Sequence, residues 1–122
     1  MTNKSFSITD RLQSMRYAWN GLKRFFQQEH NAWIHLAATI VVAMMTLYFH
    51  VRGAELLAVV VVVGMVWVAE AFNTVIERII DHISPTRHPR VEYIKDLSAS
   101  AVMLSSLTAV LIGVIVFLPK IF

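Results

Sequence analysis

Residues 56–81 read LLAVVVVVGMVWVAEAFNTVIERIID, and this stretch decides the architecture. It opens as an unbroken apolar run from Leu56 to Ala69. Spanning a bilayer core takes about 20 apolar residues, so that run is too short alone. It reaches the needed length only by continuing through Glu70, Asn73 and Glu77 to Ile80. Glu70, Asn73, Glu77 and Asp81 follow one another at spacings of three, four and four. At about 100° per residue these four fall within about 80° of one another. The stretch therefore reads as a membrane helix carrying one polar stripe, over residues 56–80.

Two further runs flank it. Residues 32–49 carry no formal charge, with His35 the ionisable exception, and residues 99–118 are uncharged apart from small hydroxyl residues such as Ser105, Ser106 and Thr108. They are read as spanning helices near 32–50 and 97–119. Buried helices of a large soluble core are the other reading, but 122 residues are too few to hide three such helices. Composition agrees. Apolar residues make up 57% of the chain and charged residues 16%, where soluble domains carry about 25% charged residues. That excludes a water-soluble domain and, by apolar content, intrinsic disorder. The absence of cysteine excludes disulfide scaffolds, thiolate zinc sites and cysteine nucleophiles.

The net charge of +3 raises nucleic acid as a partner, but the placement of the charges points elsewhere. Lys4, Arg11, Arg16, Lys23 and Arg24 precede the first span, and Arg78, Arg87, Arg90 and Lys95 surround the second connection. The turn at 50–55 holds only Arg52, and the end of the chain only Lys120. Lys and Arg favour the cytoplasmic side. The N-terminus and the 81–96 loop are thus expected inside, with the turn and residue 122 outside, and no nucleic acid is expected as a partner. Residues 1–122 are expected to form a single multi-pass membrane domain without a cleaved signal peptide, since no apolar run begins before residue 32.

Before the first span, Ile8, Leu12, Met15, Trp19, Leu22 and Phe26 recur at helical spacing, with Arg11, Arg16 and Lys23 flanking them. This predicts an amphipathic helix over about 6–28, capped by Ser7 or by Thr9-Asp10 and lying in the membrane interface. Packing against other protein is the alternative reading of such a face, and the two are not exclusive.

Carboxylates inside a membrane are costly and mark function by default. At a rise of 1.5 Å per residue from Leu56, Glu70 lies roughly 21 Å deep and Glu77 roughly 31 Å, at the inner headgroup level. Glu29 and Lys95-Asp96, each just before a span, are expected at that level. Mg²⁺ is commonly held by one or two carboxylates together with phosphate oxygens, which suits Glu29 and Glu77. Lys95 suits a phosphate, and Glu70 suits a general base for a lipid hydroxyl. No Walker A loop is present, so an ATP site is of another type. Structural readings stay open beside these. Glu70 and Glu77 also fit as partners of Arg78 or of hydroxyls, His35 as a satisfied helix residue, His82 and His88 as solvated loop residues, and Lys95 as a positive-inside anchor.

The segment Glu70-Ala-Phe-Asn73-Thr74-Val-Ile-Glu77-Arg-Ile-Ile-Asp81 resembles the signature of the prokaryotic diacylglycerol kinase family, which includes undecaprenol kinases. Tyr17-Ala-Trp19-Asn-Gly21, Glu29-His-Asn31 with His35, His88 with Lys95-Asp96, and Ser98-Ala99-Ser100-Ala101-Val102 extend the likeness collinearly from about residue 10 to the end. The resemblance implies an all-α membrane homotrimer with three transmembrane helices per chain and a surface helix, transferring the γ-phosphate of MgATP to a lipid alcohol in a bacterial cytoplasmic membrane. It implies Glu70 as general base, with Asn73 organising the site beside it. Glu29 and Glu77 would hold Mg²⁺. Tyr17, His88, Lys95 and Asp96 would contact ATP, and Ala99 would line the lipid pocket with Glu70. Sites of the family are shared between subunits.

The chain departs from the pattern at Phe72 and Val75, bulkier than usual, at Val91–Ile94, and near Asp10-Arg11, where no role is assigned. Glu29-His-Asn31 with His35 is closer to the undecaprenol branch, with diacylglycerol still open. The competing class is a non-enzymatic membrane subunit or ion carrier using Glu70 and Glu77. It accounts for the buried carboxylates and leaves Glu29 and Lys95-Asp96 unexplained.

Overall fold

The computed structural model describes residues 5–122, so Lys4 lies outside the described residues. All regular structure in it is helical: α1 (Ile8–Gln28), α2 (His30–Tyr48), α3 (Ala54–Ile83) and α4 (Pro89–Ile121). The helices α2, α3 and α4 are long and apolar enough to cross a membrane. The chain divides into two units, one ending at Ile34 and the other running from His35 to Phe122.

In the first unit, Ser7 caps α1, its Oγ accepting from the Asp10 amide at 3.4 Å. Glu29 ends the helix in an extended conformation, its amide donating to the Phe25 carbonyl at 3.0 Å. A single non-helical residue therefore separates α1 from α2. Trp33 stabilises this corner: its indole N–H donates to the Phe26 carbonyl at 2.8 Å, one of the orphan acceptors of the helix end. The two rings meet edge to face at 5.8 Å. Ile8, Leu12, Met15 and Trp19 on α1 are all exposed.

In the second unit, α2 ends in a tight reversal. His50 adopts a left-handed conformation (φ 54°), its amide donating to the Leu47 carbonyl and that of Val51 to the Thr46 carbonyl. This is the Schellman arrangement, and its apolar anchor Val51 is buried. Gly53, at φ 67°, starts α3. The helices α3 and α4 then form an antiparallel pair, the most extensively packed in the chain.

The two ends of that pair differ in chemistry. Toward the α2–α3 turn, Val51, Val59, Val116 and Phe117 form a buried apolar cluster, with Val42, Met45, Phe49 and Ile112 packed on it. Lys120 Nζ closes this end by donating to Glu55 Oε2 at 2.6 Å. Toward the α3–α4 turn the buried residues are polar: Glu70, Asn73 and Ser98.

The helix α4 begins earlier than the apolar run predicts, at Pro89 rather than near residue 97. Pro89 occupies the first turn, where its fixed φ suits a helix and no N–H is needed. His88 caps it, Nδ1 accepting from the Arg90 amide at 3.1 Å. The charged turns holding Arg90, Glu92, Lys95 and Asp96 are thus helical, and they continue the apolar segment without interruption.

Candidate functional site

Three residues of the polar stripe are held by packing between helices. Glu70 is buried, its residue only 3% exposed, on an apolar helix. Its Oε2 lies 3.4 Å from His35 Nε2 on α2. One turn earlier on α3, the Trp67 indole donates to Thr39 Oγ1 at 2.9 Å, and Thr39 donates to the His35 carbonyl at 2.7 Å.

Asn73 is buried and uses both ends of its amide. Its Nδ2 donates to Glu77 Oε1 at 3.4 Å, and its Oδ1 accepts from Ser98 Oγ on α4 at 2.8 Å. Buried polar groups need partners, and a chain of bonds orients each member. Ser98 thus orients Asn73 through a 2.8 Å bond, and Asn73 reaches the Glu77 carboxylate through a longer one. No buried side-chain nitrogen or oxygen among the described residues lacks a partner.

Farther along, Lys95 on α4 is paired with Asp81 on α3. Lys95 and Asp96 line a polar cleft of about 430 Å³ with Asp81, Arg87 and Glu92. His88 is committed to its cap through Nδ1, so a ligand contact by this ring would have to use Nε2. Ala99, next to Ser98, is exposed. A second, apolar groove of about 510 Å³ lies between α2, α3 and α4, from His35, Thr39 and Trp67 toward Phe117, Leu118 and Ile121.

The structure thus gathers Glu70, Asn73 and Glu77 with His35 and Ser98, and sets Lys95 and Asp96 beside Asp81. Tyr17, exposed on α1, and Glu29, at the end of α1, belong to the first unit. Among the described residues, no three His, Asp or Glu side chains cluster as a ready metal cage. For Mg²⁺ that is no obstacle, since it takes one or two carboxylates and completes its shell with water and phosphate oxygens.

Sequence reasoning did not connect His35 with Glu70, nor give Ser98 a role beyond its small size. A cue for Ser98 was present: it stands three residues after Lys95, on the same face of α4.

A family model described as prokaryotic diacylglycerol kinase matches residues 16–117. The chain is 28% identical over 109 residues to a diacylglycerol kinase of Synechocystis sp., a match covering 88% of this chain and 62% of that protein. It is 29% identical over 108 residues to an undecaprenol kinase of Bacillus subtilis, covering 88% of each. The match therefore spans less than two thirds of the cyanobacterial relative's length and most of the Bacillus relative's.

Proposed function

This chain belongs to the prokaryotic diacylglycerol kinase family, and on that premise we propose that it transfers the γ-phosphate of ATP to the hydroxyl of a membrane lipid alcohol, diacylglycerol or undecaprenol. The observation that carries the reading is Glu70, a carboxylate buried on an apolar helix beside the hydrogen-bonded Ser98–Asn73–Glu77 chain.

In this reading the lipid hydroxyl oxygen attacks the γ-phosphorus, and its proton passes to Glu70. The bond from the γ-phosphorus to the bridging oxygen breaks, and ADP leaves. Phosphoryl transfer depends chiefly on positioning and charge neutralisation. Glu77 presents a partly buried carboxylate, Oε1 accepting from Asn73 Nδ2 at 3.4 Å, and a carboxylate oxygen is the kind of ligand that Mg²⁺ takes. Glu29 is assigned as the second carboxylate on the family likeness alone, and the ion would supply charge neutralisation on the phosphates. Lys95 and Asp96 are assigned to ATP, and the polar cleft they line with Arg87 supports this. His88 and Tyr17 are assigned to ATP on the family likeness, and Ala99 to the lipid. The apolar groove near His35 and Trp67 suits a lipid tail.

We also take from the likeness a homotrimer with sites shared between copies. From the likeness we also take a bacterial cytoplasmic membrane location, and from the Lys and Arg placement an N-terminus on the inside.

The test is direct: the purified chain receives labelled ATP and Mg²⁺ with diacylglycerol or undecaprenol in separate micelles. A labelled lipid phosphate from one alcohol identifies the substrate. No product from either sinks the kinase reading in favour of a non-enzymatic one. Glu70→Gln is expected to lower turnover by about 10²- to 10⁴-fold, the usual contribution of a general base, with ATP binding kept.

A further inference from the structure

His35 stands in a helix that carries no formal charge from Asn31 to Tyr48. An ionisable side chain at such a place needs a partner. The ring is set by its surroundings before it meets that partner. Thr39, one turn on, donates to the His35 carbonyl at 2.7 Å and accepts from Trp67 at 2.9 Å. The Trp67 and His35 rings lie 6.0 Å apart. Trp67 and Glu70 are three residues apart on α3, while Thr39 and His35 are four apart on α2. The two helices are thus joined at two successive turns, Thr39 to Trp67 and His35 to Glu70, and this fixes the rotation of α2 against α3. The outcome is His35 Nε2 directed at one oxygen of the Glu70 carboxylate, Oε2, at 3.4 Å. The carboxylate is 4% exposed and the imidazole 20%.

We infer that His35 is a positioning residue for Glu70: its Nε2–H engages Oε2 and leaves Oε1 turned toward the reacting lipid hydroxyl. The inference rests on Glu70 being the base. A buried carboxylate pivots about its Cγ–Cδ bond, and a single side-chain donor suffices to hold one orientation. Ground-state contacts of this kind shorten once substrate is in place. A brace that only stabilised the fold would be indifferent to which residue it touched; this one touches the group proposed to take the proton.

The test compares His35→Ala and His35→Gln in the full chain, assayed with MgATP and the lipid alcohol that it phosphorylates. Loss of an outer partner that orients a metal ligand costs about tenfold to hundredfold, and the same scale is taken for a partner that orients a base. His35→Ala is expected to lose that much in kcat with the KM for ATP unchanged. His35→Gln, which keeps an N–H donor, is expected to recover most of it. A wild-type kcat in His35→Ala overturns the inference. So does a loss confined to the lipid KM, which would make His35 a substrate contact, and so does a Gln variant no better than Ala. In a Glu70→Gln background, His35→Ala is expected to add nothing; a further loss of the same size would mean that His35 serves another group.

A readout apart from turnover separates this inference from the kinase reading. In chain labelled with ¹⁵N-histidine, the His35 imidazole signal, identified by its loss in His35→Gln, is expected to shift in Glu70→Gln and stay in place in the distant Glu55→Gln. An unmoved signal in Glu70→Gln overturns the pair even where no activity is found. Full activity of Glu70→Gln with the signal shifted would leave the pair standing and remove Glu70 as the base.

Discussion

Ser98 contributes one hydroxyl, and through that hydroxyl α4 reaches the buried Asn73. Ser98→Ala removes the donor and leaves Asn73 Oδ1 buried without it, which costs about 1–2 kcal/mol. A lower midpoint in detergent unfolding, together with a weaker Mg²⁺ dependence of turnover as Glu77 loses its set orientation, is the expected result. Unchanged Mg²⁺ dependence would show that Asn73 does not need Ser98 to hold Glu77. Glu70, Asn73, Glu77 and Asp81 were legible as a set because they lie on one helix, where spacing converts directly to a face. His35 and Ser98 were not, because each finds its partner across an interface, and periodicity within one helix carries nothing about its neighbour's rotation. Lys95 shows the same limit. Its place before the third span was readable, while its pairing with Asp81 depends on how α3 and α4 meet.

Elements are delimited here by a few short-range devices. The reversal between α2 and α3 uses His50 at φ 54° and Gly53 at φ 67° with ψ −138°. Histidine enters the left-handed region at modest cost, whereas the Gly53 conformation is close to one that only glycine adopts. Gly53→Ala is therefore expected to destabilise by about 1–3 kcal/mol, and His50→Gly to be neutral or slightly stabilising. Equal losses in both, read by thermal unfolding in one detergent, would refute this ordering. The Lys120–Glu55 pair at the same end is partly exposed, so Lys120→Met is expected to cost less than about 1 kcal/mol. At the other end, hydropathy marked α4 from the first uncharged residues, but the cap at His88 and Pro89 starts it eight residues sooner. Hydropathy reports where lipid begins, and caps report where helix begins. The charged turns between them put Lys95 and Asp96 on a rigid element instead of a loop.

At the scale of the molecule, three long apolar helices and two clusters of Lys and Arg lead to a testable orientation. The chain has no cysteine, so single introduced cysteines report cleanly. Arg52→Cys in intact cells is expected to react with an impermeant maleimide and Arg87→Cys only after permeabilisation; the reverse pattern would invert the topology. Crosslinking in the membrane is expected to stop at a trimer. By itself the sequence determined the membrane class, the number of apolar spans and the face on which the carboxylates align. Apolar length and helical period are local properties, and a bilayer punishes any other arrangement of the backbone. It also carried the family, through a spaced signature along one helix. Only the tertiary structure decided which groups face that stripe: His35 at Glu70, Ser98 at Asn73 and Lys95 at Asp81. Those choices depend on the register and rotation of packed helices, which arise from the summed contacts of the whole interface and are written in no single segment.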